Sequence, residues 1–526
     1  MRIAALPAIA LLPVIALLPA GCMVGPDYKP PKIDTPARFS TTQPTTEFTR
    51  WWETFHDPEL NSLIERGLKS NLDLQVAAQR IVQARAQRDI ATAAIFPQAN
   101  TTGGYTRTGI SKRAGVGGLA SVGGSSSSSG STGTSGSTGS SGNVSTDALH
   151  PNATAGSSSP NIASLIPPRF DLWQAGFDAS WEIDVFGGTR RSVEAANADI
   201  QAQEESRRDT LITLLGDVGR NYVQVRGLQR EIQISHDNVR SQRDTLKLTK
   251  SRFAAGLATD LDVARAEAQV NTTEAQIPTF EISLQQSIHA LGVLLGESPQ
   301  ALEEELTNVQ PIPRPPSQAP IGLPSDLLRR RPDVRRAERQ LAAATARIGV
   351  ATADLFPKFN LTGALGLESQ TFKSLADSDS LFWNIGPSVS WPIFDAGRIR
   401  ANIRVQNALE QQALIQYRQT VLVSLEDVEN ALTAYTQEQA RRQSLQQAVD
   451  ANRRAVDLAT QLYVRGLADF LNVLDAQRDL FASQDQLVQS EQNVSADLVS
   501  LYKALGGGWE DIDGAQESRE EDRKPE

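Results

Sequence analysis

The chain has 526 residues, a formal net charge of −10, a sequence pI of about 5.2 and only 6% aromatic residues. It has no basic stripe of the kind that neutralises phosphates, which argues against nucleic acid as a partner. Its single cysteine, Cys22, excludes a disulfide within the chain.

Residues 1–21 carry one positive charge, Arg2, followed by an Ala/Leu/Ile run and small residues before Cys22. That order is the pattern of a bacterial secretion signal. Pro7, Pro13 and Pro19 interrupt the run, and each removes a backbone donor, so a removed signal peptide is expected rather than a spanning helix. Cys22, directly after Ala20-Gly21, is the expected lipidation site, and residues 22–57 are then a lipidated N-terminal extension. The stretch resembles a lipobox with Pro19 where leucine is usual. Met23 is not the aspartate that typically retains lipoproteins in the inner membrane. No run of 18 apolar residues follows, so any membrane crossing must use strands.

Comparing the chain with itself points to an internal duplication. Phe253-Ala-Ala-Gly256-Leu257 matches Tyr463-Val-Arg-Gly466-Leu467, 210 residues later, and the same offset takes Trp173 and Trp181 to Trp383 and Trp391. Upstream the offset is 260: Asn71-Leu-Asp73 matches Arg331-Pro-Asp333, and Ile95-Phe96-Pro97 matches Leu355-Phe356-Pro357. Repeat 1 is assigned to 58–310 and repeat 2 to 311–508, with 509–526 an acidic tail. The surplus in repeat 1 falls on a Gly/Ser/Thr tract, 115–160, which has too little apolar surface to offset the entropy of ordering and is expected to be a disordered loop.

Four strands are expected, at about 98–106, 170–183, 357–367 and 381–393. Trp173, Ala175, Phe177, Ala179 and Trp181 alternate with Gln174, Gly176, Asp178 and Ser180, and the stretches around Leu361 to Leu367 and Trp383 to Ile393 keep the same period of two. Tryptophans near strand ends suit the aromatic girdles of outer-membrane barrels. Four strands cannot close a barrel, and open edges are not tolerated in hydrocarbon, so several chains must share one.

Between the strands run long helices. Leu211, Val218, Val225, Ile232, Val239, Leu246 and Phe253 recur every seven residues; Val421, Val428, Tyr435, Val449, Val456 and Tyr463 repeat the seam, broken at Arg442. Each seam implies a helix of about 60 residues. Returning helices carry Val270, Ile277, Leu284, Leu291 and Leu480, Leu487, Val494, Leu501. Gly256 and Gly466 stand where a left-handed helix stop is needed, which makes each pair a helical hairpin turning at Gly-Leu.

His56, His150, His236 and His289 show no metal-ligand spacing, and no nucleophile elbow, phosphate loop or dinucleotide fingerprint is present. No catalytic residue, metal or cofactor is expected beyond a covalent lipid. Arg329 to Arg331 are expected to be a solvated helix start with Asp326 as N-cap.

These features resemble the TolC-like outer-membrane efflux factors, in particular the lipoprotein, NodT-type branch that works with resistance-nodulation-division pumps. The resemblance is carried by Gly25-Pro-Asp-Tyr28, Leu323-Pro-Ser-Asp-Leu-Leu-Arg-Arg-Arg-Pro-Asp333, Ala351 to Pro357 and Leu474-Asp-Ala-Gln-Arg478. It implies an α+β membrane protein: a homotrimer with a twelve-stranded transmembrane β-barrel, four strands per chain, continuous with a long α-helical barrel in the periplasm. It further implies docking of a periplasmic adaptor on the tips Gly256, Leu257, Gly466 and Leu467, and a periplasmic gate at Leu471, Asn472, Asp475 and Arg478. Asp475 and Arg478 could equally be an exposed i, i+3 ion pair. The matching positions of repeat 1 include Asp262 and Arg265, so the charges of the two repeats differ.

The function expected is the outer-membrane channel of a tripartite efflux pump. A type I secretion duct, a diffusion porin and a coiled-coil structural lipoprotein are the alternatives. Mass spectrometry of the purified N-terminal peptide checks the anchor: it should begin at Cys22 and carry three acyl chains, because more than one chain is needed for stable attachment. A peptide beginning elsewhere, or without lipid, removes the anchor.

Overall fold

In the computed structural model the described residues are 23–33, 36, 49–109, 169–315, 329–510 and 512. Cys22, the signal, the Gly/Ser tract 115–160, Asp326 and nearly all of the acidic tail lie outside them. The described chain divides into two compact units: residues up to Ala93, Asp184–Phe356 and from Trp391 onward in one, Ala94–Ile183 and Pro357–Ser390 in the other.

The first unit is helical. Its main elements are α1 (Pro58–Ser70), α2 (Leu72–Ala93), α3 (Gly188–Ala254), α4 (Asp260–Leu294), α5 (Pro332–Ala353), α6 (Arg398–Val464) and α7 (Phe470–Ala504). α3 and α6 have 67 residues each, about 100 Å at 1.5 Å per residue, and α4 and α7 have 35 each. The heptad positions are the buried ones: Leu211, Val218, Val225 and Val239 of α3, Val421, Val428, Tyr435, Val449 and Tyr463 of α6. Ile232, Leu246 and Val456 are half-buried, and Phe253 is 45% exposed. Its repeat-2 counterpart Tyr463 is covered by Arg252, whose guanidinium stands 4.6 Å from the ring, and by Phe470.

Two segments assigned to the chain's ends belong to this unit's interior. Trp51, Trp52 and Phe55 form a short 3-10 turn, are 1–5% exposed, and join Leu60, Leu63, Leu215, Tyr222, Leu291, Leu498 and Tyr502 in the main core. Trp51 stacks on Tyr502 at 5.3 Å between ring centroids. Trp509, placed by the sequence at the head of the tail, lies between the guanidinium groups of Arg208 and Arg335 and donates from its indole to Arg330 O. Aromatic pairs of period neither 3.5 nor 2 give no signal in a periodicity search.

The segment 23–33 is a strap. Val24 N donates to Phe186 O; a methyl group on Gly25, which has φ +94°, would come within 2.5 Å of Gly349 Cα in α5. Arg191, 2% exposed, donates to Val24 O, Gly25 O, Asp27 and Glu194. Tyr28 donates to Glu338 at 3.0 Å. Gly25-Pro-Asp-Tyr28 is therefore a packing motif, with glycine for close approach and Asp27 and Tyr28 for fastening.

Arg331 overturns the expectation of a solvated basic cluster. The N-cap of α5 is Arg331 itself, and it is buried, donating to Ala504 O at the carbonyl end of α7 and to Asp333 and Asp427. Asn71 does the same work in repeat 1, where its Nδ2 donates to Leu294 O at the end of α4. Each long return helix is thus capped by a residue that opens an earlier helix of its own repeat, α2 or α5, satisfying a carbonyl otherwise left without a partner.

The second unit is a sheet of four antiparallel strands in the order β1 (Gln98–Gly109), β2 (Arg169–Ile183), β3 (Lys358–Ser369), β4 (Leu381–Ser390). β4 ends three residues before the expected Ile393 because Ser390 pairs with Lys358, where β3 begins. The register puts Trp173, Ala175, Phe177, Ala179 and Trp181 beside Leu361, Leu365, Leu367, Trp383 and Ile385 on one face. The other face is polar: Gln174 donates to Glu368 and Asn100 to Asp178. No described helix is long and apolar enough to cross a membrane.

Replacing Arg331 with Ala leaves two carboxylates and the end of α7 without their cation and should lower stability by about 3 kcal/mol. Arg329→Ala, at an exposed position, should stay within about 0.5 kcal/mol. Denaturant melts of helical ellipticity measure both.

Candidate functional site

The two hairpin tips are built alike. After α3, Gly256 takes φ +72°, and Leu257 N reaches back to Arg252 O at 2.8 Å; after α6, Gly466 takes φ +74°, and Leu467 N reaches Leu462 O at 2.9 Å. These are left-handed helix stops, which only glycine adopts without strain. Leu257 and Leu467 project into solvent, 65% and 71% exposed. Arg252, which the sequence reading passed over, ties the tips together by donating to Val464 O, the last residue of α6. A basic residue in the last turn of a helix was the available signal, because it can reach the free carbonyls there.

The helices leaving the tips begin differently. Asp262 is committed to a capping box: its carboxylate accepts from Thr259 N at 3.0 Å and Thr259 Oγ1 at 2.7 Å, while Thr259 Oγ1 accepts from Asp262 N. Asp469, the N-cap of α7, makes no side-chain cap bond. Arg265 is exposed on α4.

On α7 the residues expected at the gate share one face. Leu471, Asn472, Asp475 and Arg478 are exposed, and Phe470, Val473, Leu474 and Gln477 are buried on the opposite side. Arg478 donates from Nε to Gln269 Oε1 of α4 at 2.7 Å, a bond between the hairpins instead of an ion pair along α7. Asp475 is left facing outward. Among the described residues no group of three histidine, cysteine or carboxylate side chains is arranged to hold a metal ion.

Twin helical hairpins, joined in one chain to a sheet apolar on one face and polar on the other, define the class of outer-membrane efflux channels. The chain belongs to the outer membrane efflux protein family, whose profile matches residues 63–297 and 323–507. It is similar to nodulation protein T of Rhizobium leguminosarum bv. trifolii, 31% identical over 497 residues, covering 94% of this chain and 96% of that one. The pyoverdine export outer membrane protein OpmQ of Pseudomonas aeruginosa is 33% identical over 466 residues, 88% of each chain. Among solved structures, the outer-membrane channel OprN superposes with a TM-score of 0.78 at 33% identity, over 93% of this chain and 100% of that one. The protein is accordingly an outer-membrane component of an efflux system.

The capping box separates the two repeats experimentally. Asp262→Ala should cost about 1 kcal/mol by fraying the start of α4 and leave ion selectivity unchanged. Asp475→Asn, which removes an exposed charge with little change of shape, should reduce cation selectivity in planar bilayers. Equal selectivity changes in both variants would show that neither carboxylate has a place of its own in the conducting path.

Proposed function

We propose that three copies of the chain share one twelve-stranded barrel, with the long helices forming the periplasmic duct through which drugs or other small toxic compounds leave. A periplasmic adaptor docks on Gly256, Leu257, Gly466 and Leu467, a resistance-nodulation-division pump supplies the compounds, and acyl chains on Cys22 hold the N-terminus to outer-membrane lipid. Leu471, Asn472, Asp475 and Arg478 line the closed end.

One observation carries this reading. The sheet is apolar on one face, polar on the other, and ends on β1 and β4, edges that hydrocarbon does not tolerate. Closure with further copies pairs β4 with the next β1. A coiled-coil lipoprotein has no use for such a sheet.

The internal repeat supplies the register of that pairing. Moved by the two offsets, the pairs Trp173↔Ser369, Ser180↔Thr362 and Ile183↔Phe359 of β2 and β3 become Trp383↔Gly109, Ser390↔Thr102 and Ile393↔Ala99 between copies. Odd positions meet odd positions, so the apolar face continues across the joint. Residues 391–393, which lack a partner on β3, then gain one. Trp391 and Ile393 are 57% and 88% exposed in the single chain, as that arrangement requires.

Ser390→Cys combined with Thr102→Cys should give covalently linked trimers on oxidation, because opposed Cα atoms in an antiparallel pair lie about 4.5–5.5 Å apart, within disulfide reach. Ser388→Cys with Thr102→Cys, shifted by two residues, should not, and neither should either single variant. Trimers without the first cross-link would overturn the register; a chain extracted as a monomer would overturn the shared barrel.

A further inference from the structure

The contact between α3 and α7 is polar along much of its length, unlike the apolar seams inside each hairpin. Gly227 of α3 lies against Gln492 of α7, with the amide carbon 2.7 Å from where a β-carbon would stand. Further toward the tips Asn238 Nδ2 donates to Gln484 Oε1 at 3.0 Å, and Gln477 Nε2 donates to Thr245 Oγ1 at 2.8 Å. Residues 227, 231, 238, 242 and 245 recur at helical spacing and share that face of α3. On α7, Asp485 stands one heptad before Gln492. Between the Gly227–Gln492 and Asn238–Gln484 rungs, Glu231 and Asp485, two groups of like charge, lie along the same seam about one helical turn apart in register.

Glu231 is only 7% exposed. The nearest cations on its own helix are engaged elsewhere: Arg226 with Glu59, Gln229 and Asn308 O, Arg230 with Gln233, and Arg240 with Asp237. On α4, Glu274 is held by Arg243, His289 by Glu303, and Glu281 is exposed. His236 of α3 faces outward, and Glu491 of α7 is half-buried. Among the described residues, Asp485 is the charged group that acts on Glu231. Further toward the tip the same face is poorly satisfied, since both amide atoms of Gln242, 3% exposed, have no hydrogen-bond partner among the described residues.

We propose that Glu231 and Asp485 make the α3–α7 seam a proton-operated joint: α7 stays packed while the pair keeps a proton and loosens when both carboxyls ionise. A buried carboxyl and a half-buried one along the same seam cannot both be charged without repulsion and lost solvation. Burial, and then the charge of Asp485, push the Glu231 carboxyl up to about 7, and burial raises Asp485 as well. The direction of the effect follows from linkage. A carboxyl raised in the packed state contributes full stability below its ordinary 4.5 and loses it as pH rises through about 7. Acid therefore holds α7 in place, and neutral to alkaline conditions free it. The two pairs of positions in the other repeat, Arg441 and Ala275, have no such acids, so the joint belongs to this seam alone. α7 also carries Asp475 and Arg478, and the joint stands whether or not those residues form the closed end.

Hydrogen exchange of the full-length protein in detergent reads the joint directly. With rates corrected for intrinsic pH dependence, α7 amides between residues 477 and 492 should be protected at least about tenfold more at pH 5.5 than at pH 8. Glu231→Gln, neutral at every pH, should abolish the difference and keep the protected level. Asp485→Asn should move the midpoint to lower pH, because one of the two causes of the raised carboxyl is gone. Wild-type protection that is flat with pH, a difference that survives Glu231→Gln, or an unmoved midpoint in Asp485→Asn would each overturn the proposal.

Discussion

The helical unit depends on closing each long return helix onto the start of its own repeat. A 35-residue helix ends in carbonyls with no partners in the helix, and a buried end of that kind is costly unless a side chain reaches it. Asn71 answers for α4 and Arg331 for α7. Because each residue also opens the next helix, α2 or α5, one contact fixes where two helices cross and how far apart their distant tips come to lie. Gly296 and Gly506, both at positive φ, make room for it: a side chain on either would strike Ser70 O or Arg331. Registering a lever of about 50 Å at its base is a strict demand, since a small angular error there becomes a displacement of several ångströms at the tip.

The two repeats meet that demand with different chemistry. Asn71 is neutral and is satisfied by backbone groups, donating to Leu294 O and accepting from Leu74 N, whereas Arg331 requires Asp333 and Asp427 beside it before its burial is tolerable. The tips diverge in the same sense. Asp262 is consumed by a capping box, while Asp475, a turn further along its own helix, is left to face outward. The paired helices match in length, and they differ in which charges are structural.

Much of this was legible in the amino-acid sequence because it is periodic. Heptads found the four long helices, alternation found the strands to within three residues, and Gly256 and Gly466 marked the turns. What was missed has no period. Trp51 and Trp52 pack through contacts between rings and Trp509 against two guanidinium groups, Arg252 works across from one hairpin to the other, and Arg331 is buried only because residues 96 and 173 positions away surround it. Charged residues read as solvated by default, and only tertiary structure reveals the exceptions. The end of β4 was overextended for a related reason: alternation continues through Ile393, but a strand in a sheet exists only where a neighbour does.

The strap has a consequence for how the molecule is made. Residues 23–25 are synthesised well before their seats, which are Phe186, Gly187 and Arg191 on one side and Gly349 on the other, more than 300 residues later. Contacts of such long sequence separation form late, because the loop entropy must be met before they yield anything. The head of the chain therefore waits, unseated, while α3 and α5 come together, and its docking reports that both repeats have found each other. The strap thus settles last, on a body whose helices are already in place.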